Sequence, residues 1–415
     1  VCYFLLFVNM FTQPICSFLF LFLICCFTII VHGYIEKPIS FQSTGASGTM
    51  KISGSLFIPN STTCSHSVVL ISGSGPNNRY ERDLISLPAA SLLSQTGSIA
   101  PYQNSFCYFT TERVQPFFYI ATHLADTASA CVLTYDKRTC IKSNDNVCQN
   151  ELCIPKIREE NCLNATHIEF MDFVTDAKNA VLFLKKNTPS SNSMSVIGHS
   201  QGCTIAPLVA NQLPLGTVDK TVLLMGAAVP VLQTMARQYS DNYVQAMAIV
   251  NGSFCDPSIS WQANILNQYK KALPSYPPAI ESINKLPEQL FNGFFGSDPF
   301  TIIRPDGVPP GPLIFYQQWQ NQTETAQIQA QLSQFLDARH ENQLYALNSP
   351  QDLQVSIYDF YPLRVLMNTL KEKFPNNVVH HKSILFLTHF MTDADFSSGN
   401  VRQDVLDYIT NIVKN

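Results

Sequence analysis

Short apolar runs alternate with longer segments in which apolar residues recur every three or four positions, and this alternation carries most of what the chain says about its fold. Positions 49–59 switch between apolar and polar side chains and then meet Pro59-Asn60, the pattern of a half-exposed antiparallel strand. The runs at 67–71, 130–135, 194–197 and 220–227 are short and mostly apolar, as in strands buried on both faces of a parallel sheet. Between them, 115–128 reads as a helix, and 204–210 as a buried one. Segment 167–186 is amphipathic, with Met171, Val174, Val181 and Leu184 on one face and Asp172, Asp176 and Lys185 on others. Residues 84–114 look like an irregular insertion. After residue 228 the pattern changes to Gln, Asn, Pro and aromatic residues, with helical pieces at 231–248, 261–272 and 323–347 and no convincing buried strand. Residues 353–358 are then strand-like, 363–374 helical, 383–387 a strand and 401–413 a closing helix. Strand and helix in alternation predict an α/β fold whose mainly parallel central sheet is flanked by helices on both faces. The expected core covers 34–228 and 350–415, and 229–349 forms a mostly helical lid insertion over the carboxyl edge of the sheet.

The first 33 residues differ in kind. Phe4 to Val31 is nearly continuous Phe, Leu, Ile, Val and Cys, with no charge before Glu36. Residues 18–31 have the length of a signal-peptide core, and Val31-His32-Gly33 offers small residues for cleavage. The expectation is a secreted or secretory-pathway protein, with membrane anchoring as the alternative if the leader is retained, since the run is also long enough to span a bilayer. Sequons at Asn60, Asn164, Asn251 and Asn321 agree with that route. So do the cysteines, of which Cys140, Cys148, Cys153 and Cys162 crowd one polar stretch. Lacking paired Cys-x2-Cys spacing, that stretch fits two disulfides, in any of three pairings, better than zinc. A net charge of −4 without a basic stripe or acidic tail argues against a nucleic-acid partner. No metal cluster or cofactor loop is visible.

The chemistry starts where the run at 194–197 stops at Gly198-His199-Ser200-Gln201-Gly202. A strand that turns this sharply into a helix needs small residues two places either side of its apex, and it lifts the apical Ser200 above the sheet as a nucleophile. The N–H of Gln201 then faces the oxygen that becomes negative during acyl transfer. Upstream, the strand at 67–71 delivers the chain to Ser72-Gly73-Ser74-Gly75-Pro76, a glycine-rich turn at the same sheet edge that offers Ser74 as a second oxyanion donor; without Gly-Lys-Ser/Thr it is no phosphate loop. A serine needs a base, and the base an orienting carboxylate. Among nine histidines, His389 follows an apolar run where a loop leaves the sheet at the edge of Ser200, whereas His380 and His381 precede that run. Asp359, just after the strand-like 353–358, is the expected acid, its bland alternative being a helix N-cap near Pro362. Asp393 and Asp395 follow His389 too closely to reach its far ring nitrogen. Cys203, behind the elbow, reads as a small core residue.

The order Ser200, Asp359, His389 along alternating strands and helices resembles the α/β-hydrolase superfamily. Within it, Gly73-Ser74-Gly75-Pro76-Asn77-Asn78-Arg79, Tyr135-Asp136-Lys137-Arg138-Thr139 and the elbow at Ser200 are similar to a group of bacterial serine esterases with a Gly-Ser-Gly-Pro-x-x-Arg-Asp loop, a Tyr-Asp-Lys-Arg strand end and a Gly-His-Ser-x-Gly-Gly elbow. The resemblance implies hydrolysis of a small-molecule carboxylic ester through an acyl-enzyme, with Ser74 and Gln201 as oxyanion donors. Tyr80 stands where that group has an acid and Cys203 where it has a second Gly, so substrate choice does not carry over. A peptidase or thioesterase using the same residues, or a non-catalytic binding protein on the same fold, are the competing readings.

Overall fold

The computed structural model describes residues 33–46, 48–61, 63–74, 78–81, 83–84, 113–138, 169–231, 234, 321–336, 342–350, 352, 355, 357–393 and 399–415. Residues 1–32 of the leader, the cysteine stretch at 140–162, most of the irregular insertion and most of the expected lid lie outside these residues.

In chain order the strands are β1 (Tyr34–Gly45), β2 (Gly48–Pro59), β3 (His66–Ile71), β4 (Asp83–Leu84), β5 (Arg113–Val114), β6 (Ala130–Tyr135), β7 (Ser193–His199), β8 (Lys220–Leu224), β9 (Gln343–Asn348) and β10 (Val378–Ser383). The helices are α1 (Pro116–Thr127), α2 (Phe170–Asn187), α3 (Gly202–Gln212), α4 (Thr325–Phe335), α5 (Ile357–Lys373) and α6 (Gln403–Lys414). Eight strands form one sheet in the order β1-β2-β6-β3-β7-β8-β9-β10, while β4 and β5 pair separately. The pairs β1/β2 and β2/β6 are antiparallel, and every later neighbour is parallel.

Period-two alternation sends each central strand's side chains into two cores. Val68 and Leu70 of β3 face one layer with Phe117, Ile120 and Leu124 of α1 and Val405 and Ile409 of α6. Val69 and Ile71 face the other, with Val174 and Val181 of α2, Ile205 of α3, Leu332 of α4 and Leu370 of α5. Each large aliphatic side chain buried this way contributes about 1.5–3 kcal/mol. Helices on both faces of a mostly parallel sheet, with antiparallel strands at one end, make the α/β architecture that the chain's pattern predicts, in the α/β-hydrolase arrangement that its resemblance implies.

Three elements differ from expectation. The segment 343–348, read as the end of a helix, is β9, buried between β8 and β10. Its run Gln-Leu-Tyr-Ala-Leu-Asn lacks β-branched residues and ends on amides, so neither periodicity nor composition marks it as a strand. The helix α5 begins at Ile357, inside the stretch expected as a strand. The last strand, β10, is 378–383 rather than 383–387, so His380 and His381 sit within it. As a sheet edge it keeps polar side chains, and the apolar Ile384 and Leu387 beyond it are buried loop residues. Asp172 and Asp176, expected on polar faces of α2, are buried instead. Arg138, fully buried, donates from Nε and Nη2 to the two Asp176 carboxylate oxygens at 2.8 and 2.7 Å, and Asp172 lies 3.4 Å from its Nη1.

Strand order reverses between β3 and β7, since the chain winds outward from them in opposite directions. A crevice at the carboxyl ends of these two strands is where an open α/β sheet holds its ligands.

Candidate active site

The carboxyl ends of β3, β6, β7, β8, β9 and β10 all open on one sheet edge, because these strands are parallel. Backbone strain concentrates there. Glu81, Ser200, Met225, Phe386 and Met391 follow those strand ends with φ between 53° and 62°, apart from Ser200 at 52°. Non-glycine residues adopt this left-handed region only where the surroundings enforce it, at about 1–3 kcal/mol each.

Ser200 sits at the turn from β7 into α3. A Cβ on Gly198 would approach the Gly202 carbonyl oxygen to 2.1 Å, and one on Gly202 would approach the Ile71 carbonyl oxygen to 2.2 Å, so both positions exclude a side chain. Ser200 N–H donates to the Leu224 carbonyl at 2.9 Å, which fixes the elbow to the end of β8. Behind it Cys203 is buried and donates toward the Gly198 and Leu224 carbonyls, and burial raises its thiol pKa, so it is a core residue.

The loop after β3 closes against this turn. A Cβ on Gly73 would lie 3.0 Å from Ser200 Cβ, so only glycine lets the backbone come so near. Ser74 follows, exposed at the end of that loop. Gln201 is buried at the start of α3, where the first backbone N–H groups of a helix face outward.

His389 is buried, and its Nδ1 lies 2.8 Å from Asp352 Oδ2. The other Asp352 oxygen accepts from Val355 N–H at 3.1 Å, which orients the carboxylate. The structure therefore does not bring the expected Asp359 to His389. Asp359 lies fully buried in the first turn of α5, where it accepts from Thr234 Oγ1 at 3.3 Å and its own carbonyl accepts from Ala228 N–H. The difference follows from the strands: β9 ends at Asn348, so Asp352 lies in the loop that leaves the sheet on the edge of Ser200, whereas Asp359 already belongs to α5. Asp393 lies 3.5 Å from Arg402, and Asp395 falls outside the described residues.

Pattern reading also passed over a buried polar group beside the serine. Glu81 Oε1 accepts from Gly73 N–H and lies 2.8 Å from His199 Nδ1, while His199 Nε2 donates to the His389 carbonyl at 2.8 Å. Lys137, at the end of β6, donates to the Gly73 carbonyl and, at 2.7 Å, to Gln201 Oε1. Burial pushes the Lys137 ammonium down to about 7, with Glu81 acting in the opposite sense. Part of the signal was in the sequence: Lys137 and His199 each stand two residues past the end of an apolar run, whereas Glu81 lies ten residues past its run and carries no such mark.

Two cysteines outside the cluster at 140–162 form a disulfide, Cys64–Cys131, between the entry to β3 and the start of β6. Among the described residues no helix is long and apolar enough to cross a membrane.

No family model matches the chain, and no curated protein matches it. Solved structures do. An esterase of Pyrococcus furiosus is 12% identical with a TM-score of 0.45, covering 94% of this chain and 93% of its own. A thermostable carboxyl esterase from Bacillus coagulans, in complex with glycerol, is 13% identical with a TM-score of 0.48, over 91% and 97%. The acylaminoacyl peptidase of Pyrococcus horikoshii is 9% identical with a TM-score of 0.46, over 91% of this chain and 41% of that one. The fold assignment rests on strand order and direction, and these similarities say nothing of substrate.

Proposed function

We propose that the protein is a serine hydrolase that cleaves carboxylic esters of small molecules through an acyl-enzyme, with Ser200 as nucleophile, His389 as base and Asp352 as the orienting acid. The observation that carries this reading is the convergence of a left-handed Ser200 at an elbow with a buried His389–Asp352 pair whose main chain is bonded to the residue before that serine. His389 Nε2 takes the Ser200 proton as Oγ attacks the ester carbonyl, and returns it to the leaving alcohol. Asp352 at Nδ1 keeps the imidazole in the tautomer whose Nε2 is basic and steadies the imidazolium that forms. The N–H groups of Gln201 and Ser74 receive the developing oxyanion; one such donor is worth about 2.7–4 kcal/mol of barrier in enzymes of this kind. Water then attacks the acyl-enzyme with His389 again as base. The Cys64–Cys131 disulfide supports a site of action in an oxidising compartment, as a secreted protein would meet.

Hydrolysis of p-nitrophenyl acetate and butyrate tests the reaction class. Wild type is expected to turn these esters over at least about 1000-fold faster than Ser200→Ala. Equal rates from the two proteins would overturn the ester-hydrolase reading, and preference for aminoacyl p-nitroanilides would redirect it to a peptidase.

A further inference from the structure

His199 and Glu81 take no part in the chemistry above, yet both are buried and both touch the segments that flank Ser200. The hydrogen bonds restrict where their protons sit. A carbonyl oxygen only accepts, so His199 Nε2, 2.8 Å from the His389 carbonyl, must carry a hydrogen. Nδ1 lies 2.8 Å from Glu81 Oε1, an oxygen that already accepts from Gly73 N–H and is placed to accept a ring hydrogen as well. In this arrangement both ring nitrogens face acceptors, and only the imidazolium satisfies both at once. Glu81 is itself held at φ 53°, a conformation that glutamate adopts only under constraint, and its Oε2 is buried with no hydrogen-bond partner among the described residues. A buried acid in this state is destabilising unless a cation compensates it.

Resting on the serine-hydrolase reading, we propose that Glu81 and His199 form a buried carboxylate–imidazolium pair that positions both flanks of the nucleophile: Glu81 holds the Gly73 N–H and with it the Ser74 oxyanion loop, and His199 holds the His389 main chain. Both are positioning residues, since neither reaches the substrate. Their effect passes through the N–H of Ser74 and the ring of His389, whose centroid lies 4.7 Å from that of His199.

The groups around His199 favour this charge state on balance. Burial opposes the cation, but the Glu81 charge and hydrogen bond, the His389 carbonyl and the Asp352 charge together raise its pKa above the usual value. The remaining neighbours are the Phe117 and Phe390 rings and the His389 imidazole, and Lys137 faces Glu81 from the end of β6. As pH rises through the His199 pKa, one of its two donors is lost and the brace slackens.

Nitrogen-15 NMR of histidine-labelled protein, with steady-state kinetics on p-nitrophenyl acetate, tests the pair. At pH 7, where an ordinary imidazole is mostly neutral, one histidine is expected to carry both ring hydrogens and to vanish from the spectrum of His199→Gln. Glu81→Gln keeps an acceptor for Gly73 but removes the charge. It is expected to lower kcat about 10- to 100-fold with KM changed less than about threefold, and to lack the alkaline fall in kcat expected of wild type. A singly protonated His199 at pH 7, or Glu81→Gln with wild-type kcat and pH profile, would overturn the proposal. If Glu81→Gln does not fold, the wild-type spectrum decides alone. Wild type that lacks ester hydrolysis but shows the doubly protonated histidine would refute the catalytic reading and leave the ion pair standing.

Discussion

An acid that serves a catalytic histidine must meet its Nδ1 and must itself be held still. Asp352 does both, with one oxygen 2.8 Å from the ring and the other on Val355 N–H, whereas Asp359 spends its carboxylate on Thr234. Asp352→Asn is therefore expected to reduce kcat about 10³- to 10⁴-fold while the protein stays folded, because an amide leaves the imidazole in the wrong tautomer. Asp359→Asn is expected to change kcat by less than about threefold and to lower stability by about 1–3 kcal/mol, since it weakens a buried hydrogen bond. Ester hydrolysis and urea denaturation of the two variants, side by side, check this; a larger kcat loss in the Asp359 variant would return the acid role to that residue. Ser200 was legible because its neighbours at Gly198 and Gly202 are dictated by close backbone contacts that only glycine satisfies. The position of His389 at this edge was legible from the apolar run that precedes it, although that run is loop rather than strand. The position of Asp352 beside its ring was not, because Val355, Ile357 and Tyr358 mimic a strand while Ile357 in fact starts a helix.

At the level of elements, the strands that read clearly are those buried on both faces, β3, β6, β7 and β8, each built around adjacent Val, Ile or Leu residues. The edge strands β1 and β10 keep many exposed positions, so their composition resembles loop. β9 is buried but short in β-branched residues, and its strand character comes from pairing with β8 and β10 rather than from its own propensity. The elbow between β7 and α3 is the element under most constraint. Gly202→Ala forces a Cβ to within 2.2 Å of the Ile71 carbonyl oxygen, a backbone atom in the middle of the sheet that has no rotamer to change. Destabilisation by about 2–4 kcal/mol is expected from urea titration, together with loss of ester hydrolysis. Gly216, with open space around its Cα and φ of 72°, is a suitable control: alanine there meets no atom and costs about 1 kcal/mol through backbone conformation alone.

Across the whole molecule, function follows from direction. Because β3 and β6 to β10 run parallel, six strand ends deliver their loops to a single edge, and residues as far apart in sequence as Gly73, Lys137, Ser200, Asp352 and His389 meet there. The helices cover the two faces of the sheet, and the Cys64–Cys131 disulfide ties the entry of β3 to the start of β6 at the opposite end. The central claim is that Ser200 is a nucleophile activated by His389. Incubation with a fluorophosphonate probe followed by mass spectrometry of the digested protein tests it most directly. One phosphonate is expected on the peptide that carries Ser200, with labelling slowed at least about 100-fold in His389→Ala. A wild-type protein that stays unlabelled, or label that persists in Ser200→Ala, would contradict it.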